Sequence, residues 1–376
     1  MKIIVLAGGL CTERDVSLAS GGMICRALLS KGHDAFLLDA YLGLPEAPSN
    51  LNEVFTLPGN GLEIATKITG IEPDLKAVKK MRTENLECFF GPNVVDLCQL
   101  ADIVFIALHG GEGEDGRVQA TFDLLGIRYT GSNHVGCTVS MDKGLTKEIF
   151  TAMGISTPKG IILAEKDKQL PIMKGTYLDT SSCSPVQGVS PMDSPVVTLN
   201  LPLVIKPCNG GSSIGVYIAR TSDEYYVALD KAFSYEGEVV IEEYIEGREF
   251  SCGILSGEAL PPIEIIPNVG FFDYVNKYQE GATAEICPAA LDYNKNEEIK
   301  ELALKSFQTL KLQVYGRIDF MLSNNGTLYC LEVNSLPGMT PTSLLPKEAL
   351  SIGMSYENLC ETIVETSIAE KYGDIS

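Results

Sequence analysis

The sequence predicts a chain of mixed class, with a parallel α/β sheet at its start and an antiparallel α+β unit at its end. Three observations carry this. Residues 3–7 and 103–108 are unbroken apolar runs of strand length, as expected for strands buried on both faces of a parallel sheet. Between them, residues 16–29 have apolar positions at helical spacing and 35–38 read as a strand, which makes a βαβ opening. Near the end, Asn325 and Gly326 separate two stretches of alternating polarity, the strongest hairpin signal in the chain.

The elements follow in order. Gly8 and Gly9 end the first strand, and Val16, Ala19, Met23 and Ala27 mark the helix that Gly32 stops. No GxGxxG follows the strand, so a dinucleotide fingerprint is absent. Residues 41–95 hold many Pro and Gly and little periodicity. The strand at 103–108 runs into a glycine-rich loop at 109–116, then a helix at 118–125 and a connection with a short strand at 126–131. A further helix is expected over 141–153. Residues 179–195 are rich in Ser and Pro and read as a mobile surface excursion. Strands are expected at 203–206 and 239–245, with a polar glycine loop at 208–215 after the first. Ile299, Leu302, Ala303, Phe307 and Leu310 mark an amphipathic helix ahead of the hairpin. At 376 residues the chain has room for two or three domains.

With 29 Lys and Arg against 49 Asp and Glu, the net charge is −20, which disfavours non-specific binding to nucleic acid or an anionic membrane. An anionic ligand must therefore meet a local cluster of cations. The eleven cysteines are odd in number and form no CxxC, which reads as free thiols in a reducing compartment. No apolar run nears the ~18 residues of a membrane span, and no signal peptide is visible, so a cytoplasmic location is expected.

The hairpin can be read in register. With a two-residue turn at Asn325 and Gly326, Asp319 faces Glu332 and Arg317 faces Asn334, all on one side of the sheet. Ile318, Phe320, Leu331 and Val333 take the other side, as core. Like charges directly opposed across two strands destabilise them. Either a cation sits between them or Arg317 neutralises both on a solvated face. Asp, Glu and Asn offer oxygen only, a set that suits Mg²⁺ or Mn²⁺ and not zinc. Magnesium commonly accompanies phosphate. The loop at 208–215, preceded by Lys206, has the glycines and hydroxyls of a phosphate lid, although ordinary glycine turns look similar. It is not a Walker A loop. His109 opens a loop at a strand's carboxyl end, where ligands of α/β sheets bind, and Gly8 to Glu13 occupies the matching place after the first strand. His109 could equally be a hydrogen-bonding loop residue.

Together these motifs resemble the D-alanine–D-alanine ligases of the ATP-grasp superfamily. The matching residues are Gly8, Gly9 and Thr12 to Leu18; His109, Gly110 and Gly113 to Gly116; Met141 to Lys143; Val204 to Pro207 and Gly211 to Gly215; Asp273, Tyr274, Lys277 and Tyr278; Gly316 to Asp319; Glu332 to Asn334; and Pro337 to Thr340. The resemblance implies an ATP-grasp fold: a Rossmann-like substrate domain at 1–138, a central lid subdomain at 139–241 with an inserted segment at 165–202, and a catalytic subdomain at 242–376. It implies ATP as cosubstrate, two Mg²⁺ or Mn²⁺ ions, D-alanine as substrate and a homodimer. By resemblance, Lys143 and Lys206 hold ATP phosphates, Glu242, Glu243 and Ile245 the adenine, and Glu249 the ribose. Asp319, Glu332 and Asn334 match the metal ligands. Glu13, with His109 nearby, matches the residue holding the first amino acid's ammonium. Lys277 and Arg317 match the groups on the transferred phosphate, Gly338 the oxyanion donor, and Ser343 and Leu344 the second substrate's carboxylate pocket. Glu13, Ser212 and Tyr278 match a trio that closes the lid. Tyr278 favours an amino acid over a hydroxy acid as second substrate, with D-serine left open beside D-alanine. A silent nucleotide-binding regulator is a third reading, which the intact Arg317 and metal row oppose. Cys11 stands where the family often has Ser.

Overall fold

Strand β1 (Lys2–Ala7) is apolar after its first residue, and its side chains from Ile3 onward are wholly buried. It lies between β2 (Asp34–Asp39) and β3 (Ile103–Ile106), parallel to both, so the predicted runs do form one parallel sheet. The helix Arg14–Ser30 packs closely on it: a Cβ at Gly21 would stand 2.6 Å from the Ala7 methyl. The computed structural model describes residues 1–65, 73–83, 86–169, 172–179, 198–211, 213–268 and 283–373.

Several elements differ from expectation. The 109–116 loop contains a helical turn, Gly111–Glu114. Residues 126–131 supply only a single parallel bridge, Tyr129 to Val104, and no strand. The helix expected over 141–153 is observed as Lys143–Ala152, and a separate helix, His134–Met141, that was not expected precedes it. Asp142 divides the two by turning extended and capping the second helix, its carboxylate accepting the Leu145 N–H at 2.9 Å.

Strand β4 (Gly160–Ala164) opens a second sheet. A small antiparallel sheet of β5 (Ile172–Lys174), β6 (Tyr177–Asp179) and β7 (Leu199–Asn200) follows, within the 165–202 insertion. Residues 180–197, most of the expected surface excursion, lie outside the described residues. Strands β8 (Leu203–Pro207), β9 (Tyr217–Ala219) and β10 (Glu238–Glu243) complete the second sheet in the order β4-β10-β8-β9, antiparallel throughout.

The third sheet holds β11 (Gly247–Leu255), β12 (Glu258–Ala259), β13 (Ile263–Pro267), β14 (Thr283–Ile286), β15 (Tyr315–Ser323) and β16 (Leu328–Asn334). Its order is β14-β13-β11-β15-β16, with β12 alongside β11. Phe250, Cys252 and Ile254 face Ile299, Ala303 and Phe307 of the predicted amphipathic helix, observed as Tyr293–Thr309.

The hairpin departs from expectation twice, and the departures cancel. Its loop has three residues, not two: Ser323 N–H donates to Thr327 O, and Gly326 closes the turn at φ +87°. Leu322 therefore faces Leu328, one place off the expected register. A bulge between Asp319 and Phe320 then restores it, so that Asp319 faces Glu332 and Arg317 faces Asn334 as predicted. Leu331 is the extra residue. It leaves the core position expected for it and lines a cleft, while Cys330 is buried in its stead.

The last helix, Tyr356–Tyr372, packs on the first sheet's core through Leu359, Ile363 and Val364. Its Lys371 ammonium donates to the carbonyls of Tyr129 and Gly131 at 3.1 and 2.9 Å. Among the described residues the cysteines are free, and no helix is long and apolar enough to cross a membrane.

Candidate active site

A cleft opens between the second and third sheets, enclosing about 1000 Å³ of space that is continuous with open solvent. Lys143, Lys206, Glu242, Glu243, Ile245, Glu249, Asp319 and Glu332 all line it, so most residues assigned to ATP and metal share one space. Ile245, Met321 and Leu331 give it apolar walls. The loop after β8 roofs one end, and the Lys143 ammonium donates to the Gly210 carbonyl there. A smaller recess continues from that end, bounded by Glu114, Lys143, Gly211, Glu332 and Asn334.

Glu242 is 3% exposed and carries two cations. Its Oε1 is 2.5 Å from Lys206 Nζ, and its Oε2 is 2.7 Å from Lys147 Nζ. Burial alone would raise this carboxyl, but Lys147 and Lys206 outweigh it and hold Glu242 below its ordinary range. Burial, helped by the like charge of Lys206, draws the Lys147 ammonium down. Lys147 also donates to Thr157 Oγ1 and the Pro158 carbonyl. The Glu242 carboxylate thus anchors lysines rather than standing free for a base, a placement the sequence did not suggest.

On the third sheet, Asp319 is the hub. Its Oδ1 accepts from Arg317 Nε at 2.9 Å and Ser251 Oγ at 2.7 Å. Its Oδ2 accepts from Arg317 Nη2 at 2.8 Å and Asn334 Nδ2 at 3.1 Å. Arg317 therefore neutralises Asp319, one of the two solutions to the like-charge row that the sequence leaves open. Burial works against the guanidinium, but Asp319 and Glu332 hold it charged. Among the described residues no three His, Cys, Asp or Glu cluster as a metal cage. The row offers two carboxylates and one amide, all hard oxygen donors on one face. That fits a magnesium-like ion bound partly through a ligand's phosphate.

The first sheet supplies the third wall. Glu13 starts the helix Arg14–Ser30, and Arg14 pairs with Asp39 beneath it. A Cβ at Gly110 or at Gly211 would each stand 2.9 Å from Glu13 Oε2, so two glycine segments admit this carboxylate between them. Cys11 donates its thiol to the His109 carbonyl at 2.8 Å, and burial with Glu13 nearby pushes that thiol up to about 12. His109 is buried, with Nδ1 3.8 Å from Glu114 Oε1 and Nε2 without a hydrogen-bond partner.

Burial lowers the His109 imidazole, but Glu114 and Glu13 overcome it and raise the group above its ordinary value, against Arg317. A raised folded-state value stabilises the fold at pH below the unfolded ~6.5 and loses that contribution as pH rises through the folded value. The stability of wild type relative to His109→Gln is therefore expected to shrink as pH rises above about 6.5. Thermal unfolding of both proteins across that range checks it, and a difference independent of pH contradicts it.

At the far end, Ser343 precedes the helix Leu344–Ser351, and its Oγ accepts the Thr340 N–H at 3.1 Å. A Cβ at Gly338 would stand 3.0 Å from this hydroxyl. The Leu344 side chain is buried with Ile263 and Ile265, so only its backbone is available to a ligand. Ser212, Lys277 and Tyr278 lie outside the described residues, as does most of the second expected lid at 274–283. Lys147, Ser251 and Glu348 were missed. Lys147 lies one helical turn from Lys143 and Ser251 alternates with Phe250 and Cys252, so periodicity could have flagged both.

Two antiparallel sheets closing on a lysine-lined cleft, beside a parallel-sheet unit, define an ATP-grasp enzyme. Residues 2–132 match the family described as D-ala D-ala ligase N-terminus, and residues 184–365 match D-ala D-ala ligase C-terminus. The D-alanine–D-alanine ligase of Pediococcus pentosaceus is 40% identical over 97% of this chain and 97% of its own. That of Lacticaseibacillus casei is 39% identical over 97% and 95%. The crystal structure of D-alanine–D-alanine ligase from Bacillus anthracis complexed with ATP superposes with a TM-score of 0.69 at 29% identity, covering 98% of each chain. This chain belongs to the D-alanine–D-alanine ligase family.

Proposed function

We propose that the protein joins two D-alanines into D-alanyl-D-alanine at the expense of ATP, for peptidoglycan precursor synthesis. The observation that carries the reading is convergence: Lys143, Lys206, Asp319 and Glu332 line one cleft, Asn334 and Glu114 line its recess, and behind these walls Glu13 reaches Gly211, His109 lies 3.8 Å from Glu114 and Arg317 pairs with Asp319. The division at 1–138, 139–241 and 242–376 is part of the same reading.

Glu13 holds the ammonium of the first D-alanine, and His109 lies beside it. The carboxylate of that first D-alanine attacks the γ-phosphorus of ATP, giving D-alanyl phosphate and releasing ADP. Lys143, Lys206, Lys277 and Arg317 neutralise charge on the transferring group, which is catalysis by positioning and electrostatics. The ribose is held at Glu249, and the adenine near Glu243 and Ile245. Asp319, Glu332 and Asn334 would hold Mg²⁺ or Mn²⁺, up to two ions, which supplies charge neutralisation between phosphates. The second D-alanine places its carboxylate at Ser343 and the Leu344 N–H, and its amine attacks the acyl phosphate. Arg317 and the Gly338 N–H hold the tetrahedral oxyanion, and phosphate leaves. Acyl phosphates hydrolyse readily, so the 208–215 and 274–283 loops close over the site through Glu13, Ser212 and Tyr278. A cytoplasmic homodimer is the setting this reading expects.

Phosphate release from Mg-ATP with D-alanine alone, with the dipeptide followed by mass, tests the proposal. Release with D-alanine and the matching dipeptide is the expected result. Product only when D-serine is added would move the protein to a D-alanine–D-serine ligase. ATP binding without release under any D-amino acid would leave a silent regulator.

A further inference from the structure

Glu348 sits in the helix Leu344–Ser351 and is 0% exposed. A carboxyl is almost never buried so fully unless it is paired. Here Oε2 accepts the Gly253 N–H at 2.9 Å, and Oε1 has no hydrogen-bond partner. Burial pushes the carboxyl well above its usual range, against the pull of Arg317. No motif and no step of the ligation uses it.

Its location gives it meaning. Gly253 is the direct cross-strand partner of Arg317, and two residues on, Ser251 is the partner of Asp319. Side chains directly opposed in an antiparallel pair share a face. The bare face at Gly253 is therefore the one that carries Arg317. A Cβ there would stand 2.4 Å from Glu348 Oε2 and 2.4 Å from Leu345 Cδ1, so glycine alone lets the helix reach the sheet beside the arginine. The outer ladder of β11 is also interrupted at this point. Pairing with β13 ends at Ser251 and Ile263, and pairing with β12 resumes at Ile254 and Ala259. The Gly253 carbonyl accepts the Leu260 N–H, and Glu348 takes the remaining N–H. The same helix begins at Ser343 and Leu344, the second amino acid's carboxylate pocket.

We propose that Glu348 is a positioning residue that fixes the distance between this carboxylate pocket and the Arg317 guanidinium, and so governs use of the second amino acid. The proposal rests on the ligase reading above. Glu348→Gln keeps both the reach and the acceptor oxygen. Glu348→Asp keeps the acid but falls a methylene short, and Glu348→Ala removes the contact. Displacements near 1 Å at such sites can cost about 100-fold in rate.

The experiment is steady-state ADP formation by the full chain, varying D-alanine and ATP separately, with thermal unfolding of each variant. Glu348→Asp and Glu348→Ala are expected to raise the KM of the amine-donating D-alanine about tenfold or more, with the ATP KM within about twofold of wild type. Glu348→Gln is expected to stay within about threefold on both. Gly253→Ala, which pushes the carboxyl away, is expected to reproduce the Asp result. Unchanged D-alanine KM in Glu348→Asp, or both KM values rising together, overturns the proposal and leaves a structural hydrogen bond. Glu348→Gln as impaired as Glu348→Ala overturns it too, because charge and not distance would then matter. Should Glu348→Ala fail to fold, the Asp and Gln pair decides. A wild type inactive with D-alanine would defeat the ligase reading instead, and that is known before any variant is assayed.

Discussion

Glu332→Gln is expected to lower turnover by about 10²–10³-fold while the melting temperature stays near that of wild type. Glu332 is only partly buried on an edge strand and lines the cleft, and Asp319 remains as the hydrogen-bonded counter-charge of Arg317 when Glu332 is neutralised. Its value lies in the developing negative charge that a hard cation at this row would offset. Asp319→Asn is expected to be as inactive and also less stable. The Asp319 carboxylate is 6% exposed and accepts from Arg317, Ser251 and Asn334. Replacing it leaves the buried guanidinium without its counter-charge. The measurement is kcat at several magnesium concentrations, beside a thermal melt. Partial recovery of Glu332→Gln at high magnesium would support a weakened ion site. Near-wild-type turnover by either variant at ordinary magnesium would sink the assignment of the row.

The second large effect is on stability. Glu242→Ala is expected to destabilise the protein by about 3–5 kcal/mol, the usual cost of removing one partner from a buried ion pair. Lys147 and Lys206 are 8% and 7% exposed and would face each other with no anion between them. The same change should weaken ATP binding, because Lys206 would lose the group that aims it into the cleft. The acid limb follows from the sign of the shift. Glu242 lies below its ordinary value in the fold, so its contribution is present above the unfolded value of ~4.3 and fades as pH falls through the lower, folded one. Chemical denaturation of wild type and Glu242→Ala from neutral pH into acid checks both parts. Equal stability at neutral pH would show that the lysines find another counter-ion.

Much of the fold was legible because it rests on local periodicity. Residues 3–7 and 103–108 had to be buried strands, since nothing in them can face water. The helix before the hairpin declared itself by its apolar stripe. Elsewhere a local choice overrode the pattern. The helix expected over 141–153 starts at Lys143, where the Asp142 carboxylate caps its first turn, and this cap separates it from the helix His134–Met141 that was not expected. The hairpin placed Asp319 opposite Glu332 as predicted, although the assumed two-residue turn was wrong. A three-residue loop and a bulge offset each other, and no periodicity reveals a compensating pair of one-residue shifts.

The sequence by itself determined the chemical inventory: an oxygen-only row with an arginine, glycine loops near lysines, and an acid and a histidine at the ends of buried strands. These follow from residue type and from spacing along single elements, where geometry is set by the backbone. Tertiary structure alone decided which of them meet. It paired Glu242 with two lysines from different elements, seated the Glu13 carboxylate between Gly110 and Gly211, and brought Glu348 to the bare face at Gly253 beside Arg317. Each of these contacts joins segments far apart in the chain. Such contacts depend on how sheets and helices pack in three dimensions, and a one-dimensional pattern carries no record of that packing.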